Sequence, residues 1–143
     1  MQSDEYKDKI AFVYRNFPIP QLHPNAIAAA SAAEAAGKQG KFWEMWDVLL
    51  TNQSEWSGAS TSERGGLFDD YARQIGLNTD KLSEDSASNS VSKKIKFDRA
   101  LGAAAGVTGT PTVFLNGEKV DGERIGSTEA IKTLLDEAIA KYE

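Results

Sequence analysis

No cysteine occurs among the 143 residues of this chain. Structural disulfides, thiolate–metal sites and a cysteine nucleophile are therefore excluded. Histidine is nearly absent as well. His23 stands alone, so a metal site built from several histidines is excluded too. There is no basic surplus: the formal net charge is −5, and a phosphate-binding surface for nucleic acid is not expected. Long apolar runs are missing. The nearest candidate, residues 28–36, falls short of the ~20 residues of a membrane span and carries Ser31 and Glu34. The opening Met1-Gln2-Ser3-Asp4-Glu5 is polar and acidic, unlike a signal peptide.

What is present suits a globular fold. Hydrophobic residues make up 41% of the chain, enough for one domain with a sizeable core. Residues 9–17 (KIAFVYRNF) are rich in β-branched and aromatic side chains and read as a strand, which Pro18 and Pro20 stop. Residues 24–36 are Ala-dense and read as a helix, with Pro24 in its first turn and Gly37 as its cap. Residues 41–50 place Phe42, Trp43, Met45, Trp46, Leu49 and Leu50 at helical spacing.

Residues 54–60 read as a polar loop. Ser60-Thr61-Ser62-Glu63 fits a capping box opening a helix that carries Leu67, Phe68, Tyr71, Ala72 and Ile75 and ends at Gly76. Asn78-Thr79-Asp80 starts another helix over 81–88. Residues 91–105 read as a further one, with Val91, Ile95 and Leu101 as apolar positions. Strands at 112–115 and 118–120 flank Asn116-Gly117, a strong hairpin signal. Ser127 caps a last helix with Ile131, Leu134, Leu135, Ala138 and Ile139 on one face. The order strand, helices, hairpin, helix predicts an α/β fold in one domain over 1–143, with a helical insertion at about 24–105.

The segment from Gly106 to Gly117 (GVTGTPTVFLNG) is the most informative stretch. Pro111 cannot donate a backbone hydrogen bond, so it belongs at the start or edge of a strand. It is also the residue type that holds a cis peptide bond in a tight turn.

Three further segments sit with it in order along the chain. They are Phe12-Val13-Tyr14-Arg15-Asn16-Phe17-Pro18 with His23-Pro24-Asn25-Ala26, then Ala-Ala-Glu-Ala-Ala-Gly, then Lys41-Phe42-Trp43-Glu44-Met45-Trp46-Asp47. Together with Gly106-Val107-Thr108-Gly109-Thr110-Pro111-Thr112 they resemble the DsbA family of thiol–disulfide oxidoreductases, within the thioredoxin superfamily. The resemblance implies a thioredoxin-like fold with a helical insertion. It implies a cis Thr110–Pro111 bond and a loop where Thr110 and Pro111 pair with a protein or peptide substrate.

The departure from the family is equally specific. Family members open with a strand and a Cys-x-x-Cys at a helix start, whose thiolate attacks a substrate disulfide. By the resemblance this chain lacks that first strand, the redox motif and most of the first helix. The chain is then redox-inactive as given, with no catalytic residue of its own, no metal and no cofactor. The alternatives are a non-enzymatic peptide-binding module and an enzyme like the kappa-class glutathione transferases and isomerases. The family works outside the cytoplasm, and that sets the expected localisation. In the family fold the missing strand lies between those matching 10–17 and 112–115. Self-association through the exposed sheet gap is the resulting expectation.

Other residues carry weaker readings. His23 is either a general base or part of the entry to the Pro24 helix. Phe42, Trp43 and Trp46 either fill the core or line a peptide groove. Trp56 is a candidate surface contact. The charges of 83–96 read as a solvated helix surface.

Overall fold

A computed structural model describes residues 6–141; the acidic opening, residues 1–5, lies outside the described residues. The chain divides into two compact units, Arg15–Gly106 and Met1–Tyr14 with Val107–Glu143.

The unit Arg15–Gly106 is helical. Helix α1 (Ala26–Lys38) forms because alanine is the best helix former, and its buried alanines let α2 (Phe42–Thr51), α5 (Thr79–Ser86) and α6 (Asn89–Ala104) pack on it. Asn25 is its N-cap position, so Pro24 lies before the helix rather than in its first turn. The helix also runs through Gly37. A Cβ on Gly37 would sit 3.4 Å from the Phe42 Cβ, so this glycine serves close packing of α1 on α2. The left-handed turn expected at Gly37 falls instead at Gly40, with φ +76°.

Helix α2 buries Met45 and Leu49. Trp43, an expected core residue, is 46% exposed, while Phe42 and Trp46 are half-buried. The three rings stack edge to face, with centroids 5.0 Å apart for Phe42–Trp43 and 5.8 Å for Trp43–Trp46. The expected loop at 54–60 begins as a helical turn, α3 (Gln53–Trp56). That turn swings Trp56 inward. Trp56 is buried, not a surface contact; its Nε1–H donates to the Leu49 carbonyl at 2.8 Å and its ring meets Phe68. Burying so large an apolar surface outweighs the polar neighbours of the turn.

Helix α4 (Thr61–Gln74) opens with the predicted capping box between Ser60 and Glu63 and buries Phe68, Tyr71 and Ala72. Gly76, with φ +76°, turns the chain beyond it. Asn78 caps α5 by accepting from the Lys81 N–H at 2.8 Å. Helix α6 buries Val91, Ile95 and Asp98, but Leu101 is 45% exposed. The 83–96 stretch is not wholly solvated either. Asp85 is buried, accepting from Lys38 Nζ at 2.5 Å with Lys81 Nζ 3.2 Å away. The Lys38 hydrogen bond, opposed by desolvation, holds its carboxyl below the usual carboxylate range.

In the other unit, β1 (Phe114–Leu115) and β2 (Glu118–Lys119) form an antiparallel hairpin pairing Phe114 with Lys119 and Leu115 with Glu118. Asn116 (φ 51°) and Gly117 (φ 90°) make its turn, as their types require. A 3-10 turn (Gly122–Ile125) leads to α7 (Thr128–Ala140), capped by Ser127. Tyr6 is buried and its hydroxyl donates to Asp136 of α7 at 2.9 Å. Of the five apolar positions expected on one face of α7, only Leu134 is fully buried and Ile131 is exposed. Two two-residue strands offer little surface to cover that face.

The strand expected at 9–17 does not form: residues 10–19 are neither helix nor strand. Strand propensity expresses fit to a pleated, paired surface. The only sheet among the described residues is the two-stranded hairpin, so this segment has no ladder to join.

Candidate functional site: the Thr110–Pro111 loop

The candidate site begins where α6 ends. The Ala105 N–H donates to the Leu101 carbonyl and Gly106, with φ +75°, turns the chain out of the helix. Gly109 and Thr112 then close a small turn, the Thr112 hydroxyl donating to the Gly109 carbonyl at 2.7 Å. Between them lies the Thr110–Pro111 peptide, which is cis. Both residues are exposed. Pro111 leads into the hairpin, whose ladder continues one step beyond β1 through the Val120 N–H to the Val113 carbonyl at 2.9 Å.

Two properties define what this loop can do. First, the backbone N–H and C=O of Thr110 make no hydrogen bond among the described residues. An exposed donor and acceptor beside a strand are what an extended peptide pairs with. Second, no charged residue occurs from Ala100 to Gly117. The loop itself therefore brings no ion to be desolvated when a neutral backbone docks.

The loop has no acid–base machinery. His23 is exposed in the turn before α1; its own N–H donates to the Ile19 carbonyl and its carbonyl accepts from Ala26. Its ring has no partner among the described residues, so nothing arranges it as a base. No group of three or more His, Asp or Glu side chains able to hold a metal occurs among the described residues. No described helix is long and apolar enough to cross a membrane.

A second polar constellation, within the helical unit, went unread in the sequence. The Asp98 carboxylate is fully enclosed and accepts from the Asn16 backbone N–H, from Asn16 Nδ2 and from Lys94 Nζ, with Arg15 Nη1 3.2 Å away. Asn16 Nδ2 also donates to Glu34 of α1. Burial alone would push the Asp98 carboxyl up. The hydrogen bonds from Lys94 and Asn16 outweigh it and hold the carboxyl below its usual range. This cluster ties residues 15–16 to α1 and α6. The only signal for it was an Asp in a helix otherwise rich in lysine, which does not name a partner 82 residues away.

Comparison with known proteins places the chain in a family. Residues 2–137 match the family model described as Thioredoxin. A crystal structure of a thioredoxin-like oxidoreductase from Silicibacter pomeroyi DSS-3 superimposes with a TM-score of 0.58 at 27% identity, over 85% of this chain and 66% of that one. The fold is thioredoxin-like, mostly helical and with a small two-stranded sheet. Among curated proteins, Na(+)/H(+) antiporter NhaA 3 of Salinispora tropica is 37% identical over 113 residues, 79% of this chain and 16% of that protein. Na(+)/H(+) antiporter NhaA 1 of Salinispora arenicola is 37% identical over 131 residues, 92% of this chain and 19% of that protein. The chain thus spans less than a fifth of the curated relatives it matches.

Proposed function

This chain belongs to the thioredoxin family as a DsbA-like oxidoreductase homologue, and from that premise we propose that it supplies substrate docking for thiol–disulfide exchange on proteins. The exposed, unengaged Thr110 backbone carries the reading. Its N–H and C=O pair with an extended substrate segment, and Pro111 keeps the approach free of a competing donor. The exchange itself needs a thiolate that attacks a disulfide and a second thiol that resolves the mixed disulfide. None of the 143 residues is a cysteine, so this chain binds without turning over. The proposed unit is one domain over 1–143 with a helical insertion at about 24–105, acting outside the cytoplasm.

The test is fluorescence anisotropy with a labelled, cysteine-free, extended peptide. Saturable binding is expected, weakened about tenfold by Thr110→Pro, which deletes the backbone donor. Binding unchanged by that substitution would remove Thr110 from the site.

The curated relatives favour a second reading, in which the same docking domain is carried within an Na(+)/H(+) antiporter polypeptide. Its substrate segment then belongs to the transporter, and a cross-link from position 110 to that protein is the expected result.

A further inference from the structure

The solvent face of α6 is unlike the rest of this acidic chain. Lys93, Lys96, Phe97 and Leu101 share it, and Phe97 is 60% exposed. Packing within the unit explains the opposite face, where Val91, Ile95 and Asp98 are buried, and leaves this one uncovered.

A groove of about 620 Å³ lies between α3 and α4 of the same unit. Leu67 and Ala59 give it apolar surface, and three carboxylates line it: Glu55, which accepts from the Tyr71 hydroxyl, Glu63 of the capping box, and Asp70, which is ion-paired with Arg73. One wall is held rigidly: buried Asn25 donates to the carbonyls of Trp56, Ser57 and Ala59 at 2.8, 3.2 and 2.9 Å. Gly66 lines the groove from inside α4, where glycine is a poor helix former. A Cβ there would meet nothing within 4 Å, so the fold itself does not require its smallness.

We propose that the α6 face of one copy seats in the α3–α4 groove of a second copy. Lys93 and Lys96 then meet the carboxylates of the groove, and Phe97 covers Leu67. Charge complementarity selects this occupant: a chain of net charge −5 carries both a basic apolar ridge and an open groove lined by three carboxylates. The two surfaces differ, so each added copy leaves one ridge and one groove open, and growth ends only where a ring closes.

Sedimentation velocity over a concentration series tests this. The mass should rise continuously with concentration, and about 0.5 M salt should weaken association roughly tenfold. Lys93→Glu/Lys96→Glu and Gly66→Lys/Asp70→Lys should each give monomers. All four positions are exposed, and thermal melts of both variants should show folded protein. Mixing the two should restore one ridge and one groove, giving a one-to-one dimer that grows no further. A monomeric parent chain at every concentration, variants that associate like the parent, or a mixture that stays monomeric would each overturn the proposal.

Discussion

Asn16 donates both its backbone N–H and its side-chain amide to one oxygen of Asp98, each at 3.1 Å, across 82 residues of sequence. The pair fixes where the chain enters the helical unit. Asp98→Asn keeps the size but loses the charge, and should cost about 1.5–3 kcal/mol of stability, read by urea unfolding. The folded carboxyl lies below its usual range, so its contribution is complete above the unfolded value of ~3.9 and is lost as the pH falls through the folded value. Parent and variant stabilities should therefore converge in acid. A constant gap down to the acid transition would contradict the assignment.

Tyr71 gives a prediction at the other end of the pH scale. Burial, and then the hydrogen bond from its hydroxyl to Glu55 at 2.8 Å, push its phenol up to about 12. Its contribution is complete below the unfolded value of ~10 and is lost as the pH rises through the folded one. The ultraviolet phenolate titration of the parent minus Tyr71→Phe should place this group's ionisation well above that of a free tyrosine. A difference curve centred near the ordinary value would refute the buried placement.

The Ser60–Glu63 capping box is a local device with a local cost. Ser60→Ala should lower stability by about 1 kcal/mol with an unchanged denaturant slope. No shift in the unfolding midpoint would mean that the start of α4 is held by its tertiary contacts instead.

Chemistry offers a sharp negative. The chain should neither reduce nor oxidise a model disulfide, since it has no thiol to form a mixed disulfide. Insulin reduction above a no-protein control would end that claim.

The sequence was most legible where structure is local. The capping box at Ser60, the caps at Asn78 and Ser127 and the Asn116-Gly117 hairpin are each decided within a few residues. It was least legible where distant chain decides. The 9–17 run has strand propensity but no ladder to join. Trp43 is exposed because helical spacing says which residues share a face, not which face is covered, and Trp56 is buried because a helical turn replaces part of the loop expected at 54–60. Asp98 stood out for nothing in the sequence because, Lys94 apart, its donors come from residues 15–16. At the candidate site, the turn residues and the proline were readable. The unengaged Thr110 backbone came only through the family resemblance, because residue types do not say what the rest of the unit leaves unpaired.

The central claim is that Thr110 and Pro111 receive an extended peptide, and backbone resonances report on it most directly. Nitrogen-15-labelled chain is titrated with a cysteine-free extended peptide, and the Thr110 amide is followed. It should shift progressively to a saturating value, together with neighbours in the loop and β1, and its solvent exchange should slow as the N–H gains a partner. Saturable binding that leaves the Thr110 amide unshifted and in fast exchange would contradict the claim.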